Sequence, residues 1–174
     1  MTPVRRQRKP SAILSRRLFG ASAAGVLGFL AFGLLAPRPS AGVTDRVVTD
    51  RLTGLAIDGY DPVAYFVDGA PVAGLPDLEH YFSGVVWRFR NEGNRAAFVR
   101  DPEVYMPGFG GYDPIALARG VALPGNPLLW LIVGDRLFMF FSPEGRALFV
   151  SDPDKSLALA EAKWPEVQGR LVQR

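Results

Sequence analysis

Two short runs, Gly59-Tyr60-Asp61-Pro62 and Gly111-Tyr112-Asp113-Pro114, hold the residues best suited to chemistry. If Asp61 and Asp113 face a common cleft, their hard oxygens suit a hard divalent cation, with His80 as a further donor. The same carboxylates suit helix N-caps, because a proline at the first helical position lacks the amide that would otherwise go unpaired there. Both readings use the same oxygens. Tyr60, Tyr112 and Trp87 lie close to glycine-rich turns and, with the two aspartates, are candidates to wall a small-molecule pocket. They are equally suited to a core, with their polar tips bonded to backbone. His80 beside Glu79 has the makings of a general base or a lone ligand, and also of a strand-start histidine bonded to a loop. Arg88, Arg90 and Arg95 can meet an anion, pair with Asp101 and Glu103, or form a solvated face.

Much chemistry is excluded. The 174 residues contain no cysteine and one histidine, which removes disulfides, thiolate nucleophiles and any site built from several imidazoles. No nucleophile elbow, phosphate loop, zinc-protease motif or dinucleotide fingerprint occurs. These exclusions favour a non-catalytic binding module for a small ligand or a protein partner. The alternatives are a metal-handling protein with carboxylate ligands and an enzyme of unknown substrate.

The formal charge of +3 belongs to the leading residues. Residues 1–41 carry seven Lys+Arg and no acid, whereas residues 42–174 carry 13 against 17 Asp+Glu, a net −4. A nucleic-acid partner is therefore not indicated. Ser15-Arg16-Arg17-Leu18-Phe19 precedes a seventeen-residue uncharged apolar stretch, Gly20–Ala36, and a small-residue exit at Ser40-Ala41. This is the layout of a secretory leader, and the arginine pair resembles the twin-arginine export signal. The organisation expected is a signal segment over 1–41, a linker over 42–54 and one domain over 55–174. The destination is the periplasm, and a leader left uncut would anchor the domain to the inner membrane.

The elements that must position the candidates follow from local signals. Asp61-Pro62 opens a helical turn that carries Val63 and Phe66 inward. His80–Phe82 and Val85–Arg90 form a hairpin about Ser83-Gly84, with Val85, Trp87 and Phe89 on the apolar face. Asn91 caps a helix through Phe98, which Asp101-Pro102 ends. A second hairpin, Leu128–Val133 with Arg136–Phe141, turns at Gly134-Asp135 in the type II′ manner, and its apolar strands require cover on both faces. Ser142 caps the next helix, and a last helix over about 154–163 delivers Trp164 to the core. The fold class expected is α+β: a small, mainly antiparallel sheet built from two hairpins, with short helices packed on it.

A displacement of 51 residues superposes Arg95–Pro102 on Arg146–Pro153 with six of eight residues identical. Phe89 falls on Phe140, and the two Gly-Tyr-Asp-Pro runs match one residue out of phase. The pattern predicts a pair of hairpin–helix units sharing one sheet.

Taken together, Gly59–Phe66, the Trp87-x-Phe89 strand, Asn94-Arg95-x-x-Phe98, Asp101-Pro102-x-x-Tyr105 and Gly110-Gly111-Tyr112 resemble YHS-domain proteins over roughly residues 57–164. The chain looks like the small exported branch of that family. The resemblance implies an α+β domain, and the family's reputation is for association with heavy metals. This sequence departs from it at two places: Trp87 and Arg88 stand where the family has Tyr-His, and Asp113 where it has Cys. Soft monovalent copper wants sulfur or imidazole, so copper binding does not carry over.

Overall fold

The computed structural model describes residues 46–171. The leader expected over 1–41 lies outside them. Among the described residues, four strands, six α-helices and two short 3-10 turns (Ile57–Gly59 and Gly108–Gly111) follow one another in two rounds of the same order. The first round holds α1 (Ala64–Val67), β1 (Leu75–Phe82), β2 (Val85–Phe89), α2 (Glu92–Arg100) and α3 (Pro102–Tyr105). The second holds α4 (Pro114–Leu117), β3 (Asn126–Val133), β4 (Arg136–Phe140), α5 (Pro143–Ser151) and α6 (Pro153–Leu171). The start of each element from β1 to α3 recurs 51 residues later in β3 to α6. The echo in the sequence is therefore a structural repeat.

The class is α+β, as the patterning predicts. The two hairpins, however, stand as separate two-stranded antiparallel sheets rather than sharing one. Each has the same break in register, between Leu75 and Glu79 in the first and between Asn126 and Trp130 in the second. Both connecting turns are of the type I′ kind, with positive φ at both central residues: 54° and 86° at Ser83-Gly84, 56° and 58° at Gly134-Asp135. The second was expected as type II′. Asp135 tolerates the left-handed region, so the turn keeps the I′ twist that matches its strands.

Local capping fixes the helices. Asn91 accepts from the Asn94 amide at 2.8 Å, and Ser142 Oγ from the Gly145 amide at 3.1 Å. Each helix ends at an Asp-Pro whose proline opens the next one. Phe98 and Phe149, one from each unit, are fully buried. Phe98 packs on Trp87 and Phe89 with ring centroids at 5.0 and 5.2 Å; Phe149 packs on Phe138 and Phe140 at 5.6 and 5.1 Å. Burying each phenyl group stabilises the fold by about 2 kcal/mol. Strand β4 is covered on both faces: Leu137 and Met139 join the first core, Phe138 and Phe140 the second.

Two boundaries differ from expectation. Residues 46–54 are not a linker, because Val47 and Val48 are buried in the first and second core respectively. The Val48 amide donates to the Gly110 carbonyl at 2.8 Å, the Ile57 amide donates to Val48 at 3.0 Å, and Thr49 bridges Ala56. Helix α6 runs past Trp164 through Pro165 to Leu171. A proline there removes a helical hydrogen bond, but Trp164, Val167 and Leu171 all pack against the second core and outweigh that loss.

Candidate functional site

The two Gly-Tyr-Asp-Pro runs begin with a rare backbone feature, three consecutive residues with positive φ. Ile57, Asp58 and Gly59 have φ of 42°, 55° and 79°; Phe109, Gly110 and Gly111 have 55°, 64° and 90°. This left-handed turn re-aims the chain so that the following aspartate points into the protein.

Asp61 is fully buried and Asp113 nearly so. Oδ1 of Asp61 accepts from the Val63 and Ala64 amides at 2.8 and 3.3 Å, and Oδ2 from the Arg90 amide and Asn94 Nδ2 at 2.8 and 2.7 Å. Oδ1 of Asp113 accepts from the Ile115 and Ala116 amides at 2.7 and 3.1 Å, and Oδ2 from the Phe141 amide at 2.7 Å. Each carboxylate thus ties the first turn of one helix to the end of the hairpin's second strand. A carboxylate offers about four lone-pair sites, and those of Asp61 are taken. The N–H groups aimed at both carboxylates repel a cation.

Of the two readings of these carboxylates, the helix caps hold, and a cation between Asp61, Asp113 and His80 does not fit. The aspartates share no hydrogen-bond partner, and among the described residues no group of three or more His, Cys, Asp or Glu is placed to hold a metal. His80 faces Trp87 across the β1–β2 ladder and sets its ring edge-on to Phe98, centroids 6.4 Å apart. Glu79, its expected partner, is ion-paired with Arg88 at 2.8 Å. Arg90, just past β2, pairs with Asp68 at 2.7 Å, and Arg95, on α2, pairs with Glu92 at 3.1 Å, not with Asp101 and Glu103.

The aromatic candidates separate. Trp87 is fully buried, and its indole N–H donates to the Phe82 carbonyl at 3.1 Å, so it is a residue of the first core. Tyr60 is half-buried against the first core, while Tyr112 lies in the second with its ring 6.0 Å from that of Trp164. A pocket shared by Tyr60, Asp61 and Tyr112 is not assembled. Tyr65, which by its place beside a glycine-rich turn could be pocket or core, is core: its buried hydroxyl donates to the Pro127 carbonyl at 3.0 Å and ties α1 to β3. Burial pushes its phenol pKa up, which keeps it a neutral donor.

Tyr112 does border a cleft, elsewhere than expected. A cavity of about 630 Å³ opens between residues 47–51, the loop 120–124 and the end of α6. Val48, Tyr112, Val121 and Val167 supply apolar wall; Arg51 and Arg170 supply two cations, and there is no acid among the described residues that line it. Arg170 is held in place by a 2.7 Å hydrogen bond from Nη2 to the Gly120 carbonyl. Residues from three distant parts of the chain meet here, which no short motif announces. The usable signals were the paired valines at 47–48 and the 164, 167, 171 spacing that carries an apolar face beyond Pro165. Compared with known protein families, curated proteins and solved structures, the chain matches none.

Proposed function

We propose that this chain is an exported, YHS-like, non-catalytic binding module that holds a small ligand in the periplasm. Residues 1–41 would act as its twin-arginine-type leader. The observation that carries the reading is the cleft of about 630 Å³, a volume typical of small-molecule sites, with Tyr112 in its wall. The commitment of Asp61 and Asp113 to internal amides supports it further, because neither carboxylate is left to act on a substrate. In the resemblance to YHS domains, Asp113 stands at the family's cysteine position. Its three N–H partners give that position a structural task here.

Two measurements test the proposal. Cell fractionation of the full chain against an Arg16→Lys, Arg17→Lys variant should find the first in the periplasm and the second retained in the cytoplasm. Equal distribution would sink the export claim. Native mass spectrometry of the exported protein should reveal a small-molecule adduct that Ala122→Trp, which fills the cleft, abolishes while the melting temperature holds. An adduct unaffected by that substitution would place the ligand elsewhere.

A further inference from the structure

We propose that the cleft selects an amphipathic monocarboxylate, with its carboxylate between Arg51 and Arg170 and its apolar body along Val48, Tyr112, Val121 and Val167. This rests on the binding-module reading above and names the ligand class for that site.

The charge argument comes first. Residues 42–174 carry a net −4, yet among the described residues that line the cleft there are two arginines and no carboxylate. Against that negative background the two arginines make the cleft attractive to an anion. Arg170 spends one N–H on the Gly120 carbonyl, which fixes its plane and leaves four of the five guanidinium donors for a ligand. An arginine held in this way loses little freedom on meeting a carboxylate.

The anion's kind follows from what else surrounds it. Arg170 and Leu171 belong to the last turn of α6 and Val167 to the turn before, so the cleft meets the end of that helix whose carbonyls carry partial negative charge. Arginines alone can hold a phosphate, but a dianion meets about twice the repulsion from these carbonyls that a carboxylate meets, with no N-terminal amides to offset it. Here the helix presents its other end, so a singly charged group reached by long side chains is favoured. Most of the other lining side chains, Thr49 excepted, are apolar and suit a hydrocarbon body, which a small inorganic anion lacks.

The site's place in the repeat points the same way. In the first unit the equivalent helix, α3, stops at Tyr105; in the second, α6 continues to Leu171 and forms one wall of the cleft. The cleft therefore belongs to what the second unit adds, not to the frame the two units share.

The test is isothermal titration of the full chain with octanoate, 1-octanol and octylamine, probes of matched length that differ in charge. Octanoate should bind one to one and at least tenfold more tightly than either of the others. Arg51→Gln combined with Arg170→Gln should remove that advantage and leave octanol binding unchanged. Arg51→Gln alone, which spares the Arg170–Gly120 bond, should weaken octanoate by a smaller factor. If octanoate and octanol bind equally and Ala122→Trp abolishes both, the cleft binds ligand but the carboxylate inference is wrong. If no probe binds, or binding ignores Ala122→Trp, the inference fails together with the cleft as the ligand site.

Discussion

The two hairpin–helix units are built on one plan, and they differ where the chain outside the plan touches them. Asp58 and Gly110 hold the same middle position of the left-handed turn, with φ of 55° and 64°. In the first unit that position is exposed and carries an ordinary side chain. In the second, a β-carbon would lie 1.9 Å from the carbonyl oxygen of Arg46, where the lead-in segment crosses. Asn94 and Gly145 are another such pair. Asn94 gives Asp61 its fourth donor, whereas Gly145 leaves a β-carbon position 3.1 Å from Asp113 Oδ2, too close for a side chain to stand there unmoved. Backbone geometry is repeated in both units, while side chains follow local crowding. The one large departure, the length of α6, is also where the cleft lies.

The strongest way to break this comparison is at the positions both units share for steric reasons. A β-carbon on Gly74 would sit 2.4 Å from Arg88 Cβ and 2.5 Å from the Arg88 carbonyl carbon; on Gly125 it would sit 2.6 Å from Met139 Cβ and 2.7 Å from the Gly111 oxygen. Neither obstruction is the far end of a flexible side chain. Gly74→Ala and Gly125→Ala should each cost about 4 kcal/mol in urea unfolding, among the largest single-site effects. If either variant melts within a few degrees of the wild type, the close approach is not a requirement of the frame.

Next come the aspartates. Replacing Asp61 by Asn turns one acceptor oxygen into an N–H₂ facing buried donors and should cost about 3 kcal/mol. Asp113→Asn, with three donors to disappoint instead of four, should cost about 2 kcal/mol. The ratio sharpens the comparison, because Asn94 is what separates the two sites. In the Asn94→Gly background the two aspartates should become equivalent to within the error of a denaturation curve. A persistent gap would mean that something other than donor count distinguishes the units.

The repeat and the capping aspartates were legible in the sequence because each rests on short-range chemistry. Asn91, Ser142 and the Asp-Pro stops act within a few residues of themselves, and the 51-residue echo needs only two copies to compare. What escaped depends on long-range meetings. Val47 and Val48 lie in a polar stretch and join the fold through Gly110 and Ile57, partners that local patterning does not reveal. Pro165 normally ends a helix, and only the second core, reached by Val167 and Leu171, carries α6 through it. A pocket near Tyr60, Asp61 and Tyr112 was expected because similar motifs invite pairing. The repeat gives each motif its own core and so keeps the motifs apart.

Asp58 offers the gentlest test of the same logic, and its sign is opposite to the others. It is exposed, and it holds a left-handed conformation that costs a residue with a β-carbon about 1 kcal/mol relative to glycine. Lost hydration, and after it the neighbouring Asp50, push its carboxyl pKa up from the usual 3.8. A raised pKa in the folded state means that the charged form is disfavoured by folding. The resulting penalty is absent below the unfolded pKa and appears in full once the pH has risen through the folded value. Asp58→Gly should therefore stabilise the protein by about 1 kcal/mol from relief of the backbone alone. The gain in melting temperature should be larger at pH 7 than at pH 3. A gain independent of pH would leave only the backbone contribution standing, and a loss would mean that the side chain holds the turn in a way its partner Gly110 does without.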